Sequence, residues 1–203
     1  MKLVSLINLY DLVIFDFDGV IVDSNQIKKK CIYMSVKKHT SESQASEFTE
    51  YFVSNNGIPR RIKIEKYFNK KRSQKILNDY NKLLKEKESE IKLNKEFLEI
   101  IKKIKIKKII LSGGERDEIE SILDRNSLAD EFEKILCSPL TKDENLKKVK
   151  ASINKLFIGD SRIDYEVSLS NDLDFIFYTK FTQEKHPYSF LDKNVASINN
   201  LTS

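Results

Sequence analysis

Leu12-Val13-Ile14-Phe15-Asp16-Phe17-Asp18-Gly19-Val20-Ile21-Val22-Asp23-Ser24 is the stretch that decides the fold. It opens as an almost wholly apolar run and ends in two carboxylates and a glycine, the pattern of a strand buried on both faces. Acids seldom close a buried strand unless they work there. In open α/β sheets the ligand crevice lies just outside the carboxyl ends of the strands. Residues i and i+2 of a strand share a side, so Asp16 and Asp18 are expected to face one centre. Two carboxylates in one place repel, and a positive charge must offset them. A hard divalent cation with oxygen ligands does so, and Mg²⁺ takes a few carboxylates plus water and phosphate. Gly19 lets the chain turn sharply. The plain alternative is a solvated Asx turn at a strand end.

Working outward, three further apolar runs end in the same way. Lys108-Ile109-Ile110-Leu111-Ser112 runs into Gly113-Gly114, Leu156-Phe157-Ile158 into Gly159-Asp160, and Asp174-Phe175-Ile176-Phe177-Tyr178 ends near Thr179. Lys134-Ile135-Leu136-Cys137 is a weaker fourth. Helical periodicity fills the gaps at Glu115–Asn126, Asp143–Ile153 and Ser161–Ser170. Strand and helix in alternation, with parallel crossovers, give an α/β protein with a Rossmann-like, doubly wound parallel sheet. One stretch breaks the rhythm. Asn25–Lys38, Ser41–Ser54, Pro59–Asn69 and Ser73–Ile91 are charged and helical, with no convincing strand among them. The expectation is a core of residues 1–23 and 95–203, with an inserted α-helical cap over 24–94 and a core helix at Lys95–Lys103. The tail could add a short strand and a helical turn.

Other residues gather at the same sheet edge. Asp160 ends its strand as Asp16 does, and Asp164 lies one helical turn further on. Either could instead serve its helix start, Asp160 as an N-cap and Asp164 as a first-turn acid. Ser112-Gly113-Gly114 offers a hydroxyl and unencumbered N–H groups at the mouth of a helix, an anion site. Lys142, before the helix expected to open at Asp143, could bring a fixed positive charge. Lys147, Lys148 and Lys150 are substitutes deeper in that helix.

Together these runs resemble the four motifs of the haloacid dehalogenase superfamily, and within it the helical-cap group of phosphoglycolate phosphatases and β-phosphoglucomutases. Asp16-Phe17-Asp18-Gly19-Val20, Leu111-Ser112-Gly113, Lys142 and Gly159-Asp160-Ser161-Arg162-Ile163-Asp164 match in order. The resemblance implies Asp16 as nucleophile, forming an aspartyl-phosphate, and Asp18 as the acid and base. It implies a Mg²⁺ site at Asp16, Asp18 (through its backbone carbonyl) and Asp160, with Asp164 supporting the metal shell or orienting Lys142. It assigns Ser112, Gly113 and Lys142 to the phosphoryl group. The aspartate at position 18 is the mark of the phosphatase and phosphomutase branches. Asn56-Gly57-Ile58-Pro59-Arg60-Arg61 is similar to a cap loop that carries an arginine to the substrate, so Arg60 and Arg61 are candidates there. Arg is suited to bidentate anion contact, though a solvated Arg is common in so charged a chain.

Composition limits the alternatives. The 203 residues hold 36 Lys and Arg against 31 Asp and Glu, a net charge of +5. The bases are scattered and interleaved with Glu, as in Lys85-Glu86-Lys87-Glu88, rather than gathered into a nucleic-acid-binding stripe. No apolar run approaches the roughly 18 residues of a membrane span. The start, Met1–Tyr10, is only faintly like a signal segment, being broken by Asn8 with no small-residue cleavage site. The 2 cysteines, Cys31 and Cys137, are too few for a disulfide framework, and a cytoplasmic setting is expected. His39 and His186 are isolated and read as surface residues. The reading is a Mg²⁺-dependent phosphatase acting on a small phosphorylated metabolite, as monomer or homodimer, with no nucleic acid or membrane partner. A sugar phosphomutase and a non-catalytic binding protein on the same scaffold are the alternatives.

Overall fold

The computed structural model describes residues 3–149, 154–186, 189–192 and 195–202. Its strands are β1 (Leu12–Phe15), β2 (Val22–Asp23), β3 (Lys92–Leu93), β4 (Lys107–Leu111), β5 (Lys134–Leu136), β6 (Lys155–Gly159), β7 (Asp174–Tyr178) and β8 (Ala196–Ile198). Its helices are α1 (Leu3–Ile7), α2 (Asn25–Lys37), α3 (Glu42–Ser54), α4 (Arg60–Tyr67), α5 (Lys70–Lys87), α6 (Lys95–Ile101), α7 (Arg116–Asp124), α8 (Lys142–Leu146) and α9 (Arg162–Ser170). Six strands form one sheet in the order β5-β4-β1-β6-β7-β8, every neighbouring pair parallel. The chain is α/β with a Rossmann-like sheet, as expected.

Strand alternation explains why the central runs are apolar throughout. Val13 and Phe15 of β1, with Ile110, Ile158 and Tyr178, pack into a core on one side of the sheet. Leu12 and Ile14, with Ile109, Phe157 and Phe177, pack into a second core on the other. β1 is buried along its whole length, so its carboxyl end delivers Asp16 into the interior.

Helices α2–α5 stand between β2 and β3, two short strands that pair antiparallel as Val22 with Leu93 and Asp23 with Lys92. This ribbon, which periodicity does not reveal in so short a piece, marks where the helical segment leaves and rejoins the sheet. Asn94 pins it: its backbone N–H donates to Ile21 O at 2.9 Å, and its side chain donates to Val20 O at 2.9 Å and to the Tyr178 hydroxyl at 3.0 Å. The helices share the first core, through Cys31, Ile32, Phe48, Ile64, Ile76 and Tyr80.

Several boundaries differ from expectation, each for a local reason. α5 starts at Lys70, because the Asn69 side chain caps it by accepting from Arg72 N. α8 starts at Lys142 behind a Thr141–Glu144 capping box and ends by Leu146. The expected continuation to Ile153 falls partly on residues 150–153, which lie outside the described residues, as does Lys150. The apolar start forms α1, whose Leu3 and Ile7 are buried in the first core. Among the described residues, no helix is long and apolar enough to cross a membrane.

Candidate active site

The sheet edge is where the motif residues meet. Asp16 follows β1, and its backbone N–H still donates to Ile158 O at 3.0 Å, which extends the ladder to the carboxylate. Asp160 follows β6, and Ser161 then caps α9 in a box with Asp164. Asp16, Asp160 and Asp164 are all buried, and one oxygen from each lies within 4.8 Å of the others.

Lys142 enters this group from the first turn of α8. Its ammonium lies 2.8 Å from Asp16 Oδ1 and donates a short hydrogen bond to Asp164 Oδ1. It is 2 % exposed. Burial alone would lower its pKa, but the two carboxylates outweigh burial and raise it, so the charge is retained. The other oxygen of Asp164 accepts from Ser161 Oγ at 2.7 Å and from the N–H groups of Ser161 and Asp160 at 3.2 and 3.3 Å. Asp164 thus holds Lys142 with one oxygen and the start of α9 with the other. This is the contact an orienting role would use, and Asp164 also belongs to the acidic cluster.

Three carboxylates against one ammonium leave negative charge uncompensated. Burial first, then the charges of Asp164 and Asp18, push Asp16 up to about 7 against the pull of Lys142. Burial first, then the charges of Asp16 and Asp164, push Asp160 well above the ordinary carboxylate range. One oxygen of Asp160 accepts from Asn25 Nδ2 at 2.9 Å, while the other, Oδ1, is buried with no hydrogen-bond partner among the described residues. An orphaned hard oxygen inside an acidic cluster fits a divalent cation such as Mg²⁺. Asp16 and Asp160 are the residues best placed to hold one.

The Asp18 side chain departs from expectation. It lines the same crevice as Asp16, but its carboxylate is taken by Ser24 Oγ at 2.5 Å and by Lys28 Nζ at 2.5 Å, and it stands outside the convergent acidic cluster. The reason is that β1 stops at Phe15, so strand alternation no longer governs residue 18. Burial raises the Asp18 carboxyl, but Lys28 and the Ser24 hydroxyl outweigh it and hold it below the ordinary range.

Ser112 is fully buried, with its hydroxyl oxygen accepting from Gly114 N at 3.0 Å. Gly113 lies against the α3–α4 loop: a Cβ on it would stand 2.5 Å from the Gly57 carbonyl oxygen. The helical segment therefore touches the sheet edge directly over the crevice. The cavity left there is about 40 Å³.

The two candidate arginines separate. Arg60 is buried, lines the crevice, and donates to Glu118 at 2.5 Å and to Asn81 at 2.9 Å, with its guanidinium over the Tyr80 ring. Arg61 points away: its side chain is 66 % exposed and pairs with Glu65 one turn along. Helical phase decides this, since adjacent positions lie about 100° apart on a 3.6-residue turn.

Sequence reasoning missed Asn25, Lys28, Lys63 and Gln183, all of which line the crevice. A signal existed for two of them. Lys28 lies one helical turn from Ser24, and Lys63 lies three residues from Arg60 on the same face. Nothing local in the sequence points to Asn25 or Gln183.

The family model for haloacid dehalogenase-like hydrolases matches residues 13–178, and the chain belongs to that family. No curated protein matches the sequence significantly. Among solved structures, a predicted phosphatase from Clostridium acetobutylicum superposes with a TM-score of 0.74 at 21% identity, covering 93% of each chain. A predicted phosphoglycolate phosphatase from Haemophilus somnus gives 0.71 at 14% identity, covering 95% of each. A haloacid dehalogenase-like hydrolase from Streptococcus pneumoniae gives 0.70 at 15%, covering 92% of this chain and 93% of that one. At such identities the likeness is one of fold.

Proposed function

We propose that this hydrolase is a Mg²⁺-dependent phosphatase that cleaves a small phosphate monoester in two steps, with Asp16 carrying the phosphoryl group between them. The observation that carries the reading is the buried Asp16–Lys142–Asp164 chain beside the unpartnered oxygen of Asp160.

A phosphate monoester brings a charge of about −1.5 to −2 toward an anionic nucleophile, so the approach needs positive charge in place beforehand. Lys142 supplies one fixed charge, already touching Asp16. Mg²⁺ bound at Asp16 and Asp160 would supply the rest and polarise the phosphoryl oxygens. The Ser112 hydroxyl, its oxygen held by Gly114 N, keeps its own proton free to donate to one of those oxygens. An oxygen of Asp16 attacks phosphorus, and the bond from phosphorus to the leaving oxygen breaks. Asp18 protonates that oxygen. It then takes a proton from the water that attacks phosphorus, which releases inorganic phosphate and restores Asp16.

As it stands, Asp18 is ready to take a proton rather than give one, because Lys28 and Ser24 hold it ionised. The first step needs Lys28 to turn toward the incoming anion, which removes the charge that stabilises the Asp18 carboxylate. Helices α2–α5 act in this reading as a cap that excludes water while the phosphoryl group sits on Asp16, supported by the contact of the Gly57 loop with Gly113. The test is hydrolysis of p-nitrophenyl phosphate with Mg²⁺, with EDTA, and with Mg²⁺ restored. Activity that requires Mg²⁺ and vanishes in Asp16→Asn supports the reading, and full activity in chelator overturns it.

A further inference from the structure

The start of α2 is tied to the sheet edge by its side chains. Ser24, the residue before the helix, and Lys28, in its first turn, both hold the Asp18 carboxylate. Asn25, the first residue of the helix, holds Asp160 instead. Its amide nitrogen donates to Asp160 Oδ2 at 2.9 Å and to the Phe181 carbonyl oxygen at 2.9 Å. The Phe181 carbonyl can only accept, so the nitrogen of the amide and not its oxygen faces this pair, and the two bonds spend both of its N–H donors. Asn25 is buried. The pair fits because Gly19 has no side chain: a Cβ there would stand 2.0 Å from Asp160 Oδ2 and 2.6 Å from Asn25 Nδ2.

The second acceptor is itself fixed. Lys180 pairs with Glu96 in the first turn of α6, and the Phe181 ring packs against that of Tyr178 with centroids 6.0 Å apart. Thr182 Oγ1 donates to the Asp160 carbonyl at 2.5 Å. Phe181 O is therefore a stationary anchor, and Asn25 Nδ2 bridges from it to the carboxylate. The bridge sets the rotation of the Asp160 carboxyl group. Oδ2 is spent on Asn25, and Oδ1 is the oxygen left without a hydrogen-bond partner among the described residues. Asn25 has no part in the two chemical steps above.

From this bridge we infer that Asn25 is a positioning residue for the cation, one that keeps Oδ1 of Asp160 free to hold it, and that through Asn25 the placement of α2 and the holding of Mg²⁺ are coupled. The inference rests on the Mg²⁺ reading of the site and adds to it the residue that joins the helical segment to the metal. α2 is the first helix after β2 of the β2–β3 ribbon, so any turn of helices α2–α5 about that ribbon carries the Asn25 amide with it. Mg²⁺ is then held most tightly with α2 in this placement, and by reciprocity bound Mg²⁺ favours this placement.

A purely structural Asn25 would affect the stability of the fold and leave the Mg²⁺ affinity of the folded protein unchanged. Calorimetric titration of Mg²⁺ into the protein, with no substrate present, separates the two. Asn25→Leu keeps the size of the side chain and removes both donors, and the dissociation constant should rise about tenfold or more, as when a metal-holding group loses its outer hydrogen bond. Asn25→Ala should change it in the same direction and carries the test if Asn25→Leu does not fold. Hydrogen exchange reads the coupling. The amides beside the ribbon, Gly19 N–H on Val22 O and Asn94 N–H on Ile21 O, should exchange more slowly in wild type saturated with Mg²⁺, by about the factor the affinity loses. In the variant, at a Mg²⁺ concentration that saturates it, that slowing should be lost. A dissociation constant within about twofold of wild type in the variant that folds, or the same slowing in both proteins, overturns the inference and leaves the metal reading standing. A wild-type protein that binds no Mg²⁺ overturns the metal reading and the inference with it.

Discussion

Gly19→Ala is the smallest change that should damage both the fold and the metal site. Gly19 has φ of +84°, and an ideal Cβ there would stand 2.0 Å from Asp160 Oδ2 and 2.6 Å from Asn25 Nδ2. The left-handed backbone costs an L-residue about 1–2 kcal/mol. Overpacking a filled interior adds about 1–3 kcal/mol. Asp160 must also rotate, which breaks its hydrogen bond to Asn25 and removes about 1 kcal/mol more. The expected loss is therefore about 3–6 kcal/mol from the same three effects. Gly114→Ala is the control, because its Cβ would meet nothing closer than 3.2 Å, with no left-handed φ to strain, and it should cost less than about 1 kcal/mol. Urea denaturation at neutral pH, with and without Mg²⁺, measures both effects. Mg²⁺ should raise the midpoint of the wild type and of Gly114→Ala, and leave that of Gly19→Ala nearly unmoved, since the displaced carboxylate is one of the two proposed to hold the cation. A Gly19→Ala protein within about 0.5 kcal/mol of wild type, with the same Mg²⁺ shift, would refute the packing of Gly19 against Asp160.

Lys142→Met leaves Asp16 and Asp164 buried without their cation and should cost about 3–5 kcal/mol near pH 7. The cost should shrink near pH 5, where Asp16, whose carboxyl burial already pushes up to about 7, takes up its proton, and equal losses at both pH values in urea titrations would contradict the assignment. Arg60→Ala should destabilise by about 2 kcal/mol or more through lost packing on Tyr80 and a stranded Glu118, while Arg61→Ala stays within about 0.5 kcal/mol of wild type. In metal-free protein the Tm should fall as pH rises from 4.5 to 7. The unfolded chain releases the protons of Asp16 and Asp160 near pH 4, whereas the fold holds them to about 7 at Asp16 and well above the ordinary range at Asp160, so the stability they confer is lost across that interval. Mg²⁺, by replacing those protons, should flatten the slope, and a slope unaffected by Mg²⁺ would argue against a shared site.

The sheet was legible because its strands are buried on both faces and end in residues with no business in a core. Asp16 and Asp160 could be placed at one edge from that contradiction alone, and Lys142 and Asp164 follow from the motif order. What stayed hidden depends on three-dimensional phase. Whether Arg60 or Arg61 faces inward turns on one helical position, and the loop before α4 gives no reference from which to count. Strand alternation sets the Asp18 carboxylate beside that of Asp16 at one centre, but β1 ends three residues earlier at Phe15. Lys63 reads in the sequence as one lysine among many, and only burial separates it from the solvated ones. Gln183 comes to the crevice from the far side of the sheet, after β7, so no local pattern joins it to the helices it faces.

The account stands on Asp16 as the atom donor that receives the phosphoryl group. Asp18→Asn, given p-nitrophenyl phosphate and Mg²⁺, still has the nucleophile and has a leaving group that needs no proton, but it lacks the base that clears the intermediate. Acid quenching and peptide mass mapping should then find the mass of one phosphoryl group on the peptide that contains Asp16, and none in Asp16→Asn. Release of phosphate by the Asp18→Asn protein without any phosphoryl group on Asp16, or a phosphoryl group trapped on another residue, would contradict it.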